Sequence, residues 1–514
     1  MTTLLALVGG AVIAAYLLVF SVAADRAARA VPADVAAYAT LYLQPSAGQM
    51  LNLAELLGRV PGFADSAALE GKIHEITARL LSGAGIDYEA DVRPWLGQQA
   101  SVAIRPSGLD PAEAEVLAVV GVTDAQEADA ALGRLADDLA LAAQATEHQG
   151  VELMVGAGTS WALLDDVLLV GSNADVVRAG LDADAGRAPA LSRETRFNRA
   201  MSDVPADHLA AAYVDLQAFG SATGVAENAG GYSTASLALV VDPDGLRLVG
   251  SAPFDASRAP DEAQRAFELG DQQATLAEWM PVGTQAGLVM FGLGQSLLGL
   301  EAQLASGEAG DQLADLLNQA RAVAAFGLGV SVDDELLPLL DRETGLAVSG
   351  LDGEAPRGVL LLRPSDASAA EATLARVRDA LRQRGASVVE VDVGGIPVTT
   401  VELPTIGSVS YAVRDGVAAL GLAAEDLAAA FEARETGASL AGDARYAAAW
   451  SLAGERAGNE AWVDAAALVE AYGEQLGLTG EARDILLQAD ALAMTAPARR
   501  DESRSELHVV LTVR

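Results

Sequence analysis

The stretch VLLVGSNADVVRAGLDA, residues 167–183, returns as VAALGLAAEDLAAAFEA at residues 417–433. The first reads as a strand at Val167–Val170 followed by a helix from Ala174 to Leu181, and the second keeps its pattern 250 positions later. On the N-terminal side of this pair, GVTDAQEADAALGRL (121–135) matches LRPSDASAAEATLARV (362–377). That match aligns Asp124 with Asp366, Leu132 with Leu374 and Arg134 with Arg376. VPADVAAYATLYL from Val31 matches MPVGTQAGLVMFG from Met280, with Pro32 on Pro281, and VDLQAF from Val214 matches VDAAAL from Val463. The offsets are 250, 242, 249 and 249, in one order along the chain. Chance similarity does not keep such a register, so the chain reads as two copies of a unit of about 240 residues. The length agrees, since 514 residues exceed the ~100–200 of one domain.

Each copy mixes strands and helices. The first is expected to run through a strand at Ala36–Leu43, helices at Ala47–Leu57 and Ala67–Leu81, and strands at Ala100–Ile104 and Val116–Val122. A helix at Asp124–Ala142 follows, with Thr123 placed as its N-cap, Gln126 completing a capping box, and Ser365 as the cap in copy two. Next come strands at Val151–Val155, Ser160–Leu164 and Val167–Val170, then helices at Ala174–Leu181 and Arg193–Met201. LALVVDPDGLRLVG (237–250) is a hairpin around Asp-Pro-Asp-Gly, and residues 490–513 supply its partner with a longer, charged turn. Consecutive strands joined by short turns imply antiparallel pairing. The expected architecture is therefore α+β: an N-terminal transmembrane helix followed by two tandem homologous α+β domains with largely antiparallel sheets. The limits are a transmembrane anchor and juxtamembrane segment at 1–30, a first repeat at 31–256 and a second at 281–514. Between them, SRAPDEAQRAFELGDQQATLAEWM (257–280) reads as a charged helical linker.

LLALVGGAVIAAYLLVFSVAA, residues 4–24, carries no charged side chain. Its 21 residues suit a spanning helix, which needs about 20, better than the ~7–15 apolar residues of a secretory signal. Ser21–Ala23 and Ala28–Ala30 offer small-x-small cleavage patterns as the alternative. Arg26 and Arg29 follow the segment, which by the positive-inside rule alone would place the bulk inside the cell. An anchor followed by one large hydrophilic body most often exports that body, so the expected location is the cell membrane, single-pass, with the bulk extracytoplasmic.

Hydrophobic residues make up 51% of the chain but aromatic ones only 4%, so the cores are built from small side chains that each bury little area. A net charge of −38 disfavours nucleic acid and anionic lipid headgroups and leaves divalent cations as an allowed partner class. With no cysteine, disulfides, thiolate metal sites and cysteine nucleophiles are excluded.

Duplication offers a control on every motif. FGLGQSLLG (291–299) has the setting of a dinucleotide-binding turn, but Leu297 replaces the third glycine, and LQPSAGQ (43–49) in copy one lacks Gly292 and Gly294. Ser46 and Ser296 read better as helix N-caps. GYSTA (231–235) has a strand after it where a nucleophile elbow needs a helix. His74, His148, His208 and His508 neither recur between copies nor stand at metal-ligand spacing. LDADAG (181–186) begins like a calcium loop but has Arg193 at its twelfth position. Asp215 and Asp464 align as paired carboxylates, and each also stands where a helix cap is needed. Trp95, in DVRPWLGQQASVAI (91–104), reads as a packing residue, with Leu339 in its place in copy two. No catalytic, cofactor-binding or metal residue is assigned from the sequence, and no cofactor is expected.

The apolar segment together with VPADVAAYATLYLQPSAGQ (31–49) and GIDYEADVRPWLG (85–97) resembles the bacterial domain-of-unknown-function family three-three-five-two. The resemblance implies a membrane-anchored or exported protein and brings no catalytic residues. The functional expectation is a non-enzymatic, membrane-anchored binding or scaffold protein. It would hold the bilayer through residues 4–24 and take a protein partner in the envelope. A carrier for a lipid or other apolar ligand, or an enzyme of unrecognised type, stands as the alternative.

Overall fold

The computed structural model describes residues 25–514 apart from 45, 61–77, 79–85, 107–113, 139–140, 224–230, 259–263, 265–266, 305–307, 352–356, 404–406, 455 and 500–501. The apolar segment 4–24, its cleavage pattern at Ser21–Ala23 and all but one residue of the helix expected at Ala67–Leu81 lie outside the described residues. Contacts divide the chain into two compact units, Met1–Asp255 and Ala256–Arg514.

The first unit opens with a single 3-10 turn, Ala27–Arg29, which we call its lead-in turn. There follow β1 (Ala37–Tyr42), α1 (Ala47–Gly58), β2 (Leu96–Arg105), β3 (Glu115–Val122), α2 (Ala125–Asp138), β4 (Ala143–His148), β5 (Val151–Gly156), β6 (Thr159–Leu163) and β7 (Val167–Gly171). The unit closes with α3 (Ala174–Asp184), α4 (Thr195–Ser202), β8 (Ala210–Asp215), α5 (Leu216–Thr223), β9 (Thr234–Asp242) and β10 (Gly245–Pro253). The strands lie in the order β10-β9-β8-β1-β2-β3-β7-β6-β5-β4, every pair antiparallel. The α+β class with antiparallel pairing is thus as the sequence indicates.

The second unit has its own lead-in turn, Leu276–Glu278. It continues through β11 (Ala286–Phe291), α6 (Leu293–Leu304), α7 (Glu308–Ala322), β12 (Glu343–Ser349), β13 (Arg357–Arg363), α8 (Ala367–Gln383), β14 (Ser387–Val393), β15 (Ile396–Leu403), β16 (Gly407–Arg414) and β17 (Val417–Gly421). Then come α9 (Ala424–Thr436), α10 (Ala444–Ala453), β18 (Asn459–Asp464), α11 (Ala465–Tyr472), α12 (Gly480–Leu486), β19 (Ala489–Ala496), β20 (Ala498–Arg499) and β21 (Arg504–Val513). Its strand order is β21-β19-β18-β11-β12-β13-β17-β16-β15-β14, again antiparallel throughout. Among the described residues the strands follow the order of the first unit, and the short β20 follows β19.

Turn chemistry explains the hairpins. Gln149–Gly150, Gly394–Gly395 and Asp415–Gly416 each place two successive residues at positive φ. Such two-residue turns match the twist of paired strands, which is why glycine recurs there.

Several expected features differ. The helix after β3 is capped by Asp124, whose carboxylate accepts the N–H groups of Gln126 and Glu127, while the Thr123 hydroxyl donates to the Trp95 carbonyl. Asp366, not Ser365, caps α8, and Ser365 instead bonds Asp341. A carboxylate one residue closer to the helix outcompetes the hydroxyl. Ser46 does cap α1, but Ser296 lies inside α6 with its hydroxyl on the Gly292 carbonyl.

Residues 257–280 are no continuous helical linker. Residues 272–275 are irregular, and Ala274, Leu276, Ala277, Trp279 and Met280 are buried in the core of the second unit beside Phe431 and Trp450. Residues 27–31 do the same in the first unit, where Ala28 and Ala30 are fully buried.

Candidate functional site

In each unit a strand-borne side chain holds the lead-in turn. Gln99 and Glu343 occupy one place in their sheets, since Gln99 pairs Tyr42 on β1 and Glu343 pairs Phe291 on β11. Gln99 Oε1 accepts the backbone N–H groups of Arg26 and Ala27 at 3.0 and 3.3 Å. Glu343 Oε1 accepts those of Thr275 and Leu276 at 2.6 and 2.7 Å. A three-residue turn cannot satisfy its own first donors, and burial without a partner would cost ~1–3 kcal/mol each.

The surroundings differ in charge. Gln99 Nε2 donates to Asp25 Oδ1 at 2.6 Å and to Thr40 at 2.7 Å, and Tyr38 donates to the same Asp25 oxygen at 2.7 Å. Asp25 Oδ2 has no partner among the described residues. Burial pushes the Asp25 carboxyl above its usual range, against the opposing effect of its Tyr38 and Gln99 bonds, and pushes the Tyr38 phenol well up. In the second unit the holder is itself charged, and Glu343 Oε2 accepts from Thr275 at 2.7 Å and from Arg363 at 3.5 Å. A second buried carboxylate, Glu460, takes Arg456 Nε at 2.8 and 2.9 Å and the Tyr446 hydroxyl at 3.3 Å. Arg456 also lies over the Tyr446 and Trp450 rings, 5.1 and 5.6 Å from their centroids. Burial raises the Glu460 carboxyl, and Arg456 opposes that rise.

Position 121 decides whether the first cluster is filled. Val120 pairs Ala100 and Leu362 pairs Thr344, so Gly121 falls where Arg363 falls. In the first unit this leaves a cavity of about 200 Å³ against the lead-in turn, lined by Arg26, Gly97, Gln99, Gly121, Thr123 and Asp166 among others. Arg26 and Asp166 form an ion pair at 2.9 Å in its wall. A Cβ at Gly97 would stand 2.5 Å from the Gly121 backbone, so only glycine allows that approach.

Asp215, Asp464 and Trp95, singled out in the sequence, cap helices or pack in the core. Asp215 caps α5 through Gln217 and Ala218 and pairs Arg196 at 2.7 Å, while Asp464 caps α11 through Ala467 and pairs Arg445 at 2.8 Å. The two carboxylates are therefore one device used twice, a cap plus an arginine from the preceding helix. Trp95 is 5% exposed, donates to the Asp91 carbonyl at 2.6 Å and packs on Ala128 and Ala131 of α2. Leu339 packs correspondingly on Ala370 and Leu374 of α8. His148 meets Asp182 at 3.0 Å and His208 Nδ1 donates to the Pro205 carbonyl. Asp182 and Asp184 lie within α3, which removes the calcium-loop pattern, and β9 begins at Thr234 inside GYSTA. Gly294 packs against the Leu337 carbonyl, where a Cβ would come to 2.5 Å. Among the described residues no group of three acidic or histidine side chains could hold a metal. Sequence reasoning missed Gln99, Glu343 and Asp25: Gln99 stands beside Gln98 in β2, Glu343 opens β12 and Asp25 lies in no strand, so no local pattern marked them.

Fold and site together define an antiparallel α+β protein with an internally held lead-in turn in each unit. The chain belongs to the family described as protein of unknown function (DUF3352), which matches residues 1–513. No curated protein matches it. Among solved structures, crystal form III of TP0453 is similar at 9% identity and a TM-score of 0.27, covering 50% of this chain and 90% of that one. Crystal form I matches at 10% identity and 0.27, covering 49% and 88%. These scores are too low for the likeness to bear on this chain's fold or function.

Proposed function

We propose that this chain is a single-pass, membrane-anchored, extracytoplasmic binding or scaffold protein, an accessory subunit of an envelope complex, built from two homologous units by duplication. The observation that carries the reading is Asp25. It stands one residue past the apolar stretch 4–24 and is tied to Tyr38, Gln99 and the Ala28 N–H. An anchor that ran straight into such a body would hold it at the membrane without a tether. Among the described residues no helix is long and apolar enough to cross a membrane, so the anchor assignment rests on residues 4–24 alone. Arg26 and Arg29 pair with Asp166 and Asp184, so the fold accounts for both arginines independently of topology.

The shared strand order supports duplication, and the caps at Asp215 and Asp464 give the aligned carboxylates a structural employment. The cavities beside Arg26 and beside Arg357 enclose about 200 and 240 Å³. Both fall below the roughly 300–1,000 Å³ of a typical small-molecule site, so neither favours an acyl-chain carrier. Carbonate extraction tests the anchor, and protease added to intact and then permeabilised cells tests the side. Retention in the membrane pellet with cleavage from outside is expected. Release by carbonate, or protection until the inner membrane is opened, defeats the reading. Pull-down from solubilised envelopes that yields no stoichiometric partner defeats the subunit assignment.

A further inference from the structure

We propose that the cavity beside Arg26 receives the zwitterionic phosphoethanolamine headgroup of a membrane lipid. Its wall carries both signs of charge within one ion pair, and the Arg26 and Asp166 side chains are 61% and 39% exposed. A guanidinium matches a phosphate, a carboxylate matches a primary ammonium, and an exposed pair between them is easily opened. The second unit acts as an internal control, because there Arg363 fills the corresponding space and bonds Thr275 and Glu343. The open version occurs in the unit that the apolar segment leads into, and its wall begins with the second residue past that segment. A zwitterion also suits a body of net charge −38, which repels anionic headgroups. At about 200 Å³ the space takes a headgroup and leaves the acyl chains in the bilayer.

The inference rests on the proposed membrane attachment for its lipid source, and its test separates the two. Full-length protein in dodecyl maltoside is titrated calorimetrically with glycerophosphoethanolamine and with glycerophosphoglycerol. Saturable binding of the first is expected, weakened at least about tenfold by Arg26→Gln. Asp166→Asn should weaken glycerophosphoethanolamine similarly while leaving glycerophosphoglycerol unchanged. Absence of saturable binding at 10 mM ligand, a concentration of roughly low-affinity sites, overturns the site, as does binding indifferent to both substitutions. Native mass spectrometry from nanodiscs holding phosphatidylethanolamine and phosphatidylglycerol then tests the source. Selective retention of phosphatidylethanolamine by wild type and its loss in Arg26→Gln are expected. Headgroup binding without lipid retention overturns the lipid assignment. Carbonate extraction reports separately on the anchor, so a failed anchor and a failed site give different results.

Discussion

Gln99 and Glu343 hold equivalent turns by the same oxygen, yet one is neutral and the other charged. The charge is matched directly opposite on the neighbouring strand, where Arg363 pairs Glu343 and Gly121 takes the equivalent place by Gln99. Converting one version into the other therefore requires two changes. Gln99→Glu alone sets an unpaired carboxylate beside the buried Asp25 and should cost about 3–5 kcal/mol. A denaturant midpoint measurement checks this, and a loss below that of Gln99→Ala would contradict it.

Asp25 gives a pH dependence of defined sign. Its folded carboxyl titrates above the unfolded one, so the native state binds more protons in that window. Its contribution is fully present below the unfolded value near ~3.9 and is lost as pH rises through the raised folded value. Asp25→Asn removes the titration while keeping an oxygen for Tyr38. The stability of this variant relative to wild type should rise from pH 4 to pH 7, read by urea unfolding at each pH.

Asp215→Ala and Asp464→Ala should each cost ~1–3 kcal/mol, combining a lost helix cap with a lost arginine partner. The two sites lie in different units, so a separate denaturation curve for each variant reports on its own site. Partner or ligand binding should be unchanged in both.

Trp95→Ala should destabilise by about 3–5 kcal/mol through the cavity it opens against α2. Trp95→Leu copies the solution at Leu339 and should recover at least half of that loss. Equal losses in thermal and chemical unfolding of the two variants would show that the leucine solution does not transfer.

Much of the fold was legible because its signals are periodic and local. The alternation of β9 and β10 around Asp-Pro-Asp-Gly, and the repeated strand-to-helix passage at 167–183 and 417–433, needed no tertiary information. The strand β4 was not legible. AQATEH at 143–148 is polar and largely exposed, and among the described residues it pairs with β5 alone, across the Gln149–Gly150 turn, so no apolar period announced it. Residues 257–280 misled for the opposite reason. Their charges suggested a solvated helix, whereas Leu276, Trp279 and Met280 at the end of the stretch are core. The holder residues were invisible because a glutamine or glutamate in a strand means nothing until the turn above it is placed.

Trp279 sharpens where the second unit begins. A fragment starting at residue 281 would lack Leu276, Trp279 and Met280, and with them the ring packing of Trp279 on Phe431. Such a fragment should fail to fold, whereas one starting at Ala256 should show a cooperative transition by circular dichroism.

The lead-in turn also has a mechanical meaning. Ala28 and Ala30 have no exposure, and Asp25 is bonded to β1 and β2. Tension applied to the chain ahead of residue 25 is therefore delivered to the middle of the first sheet with no compliant spacer between. The Asp25 bonds to Tyr38 and Gln99 at 2.7 and 2.6 Å bear that load first, with the Gln99 bonds to the Arg26 and Ala27 N–H groups directly behind them.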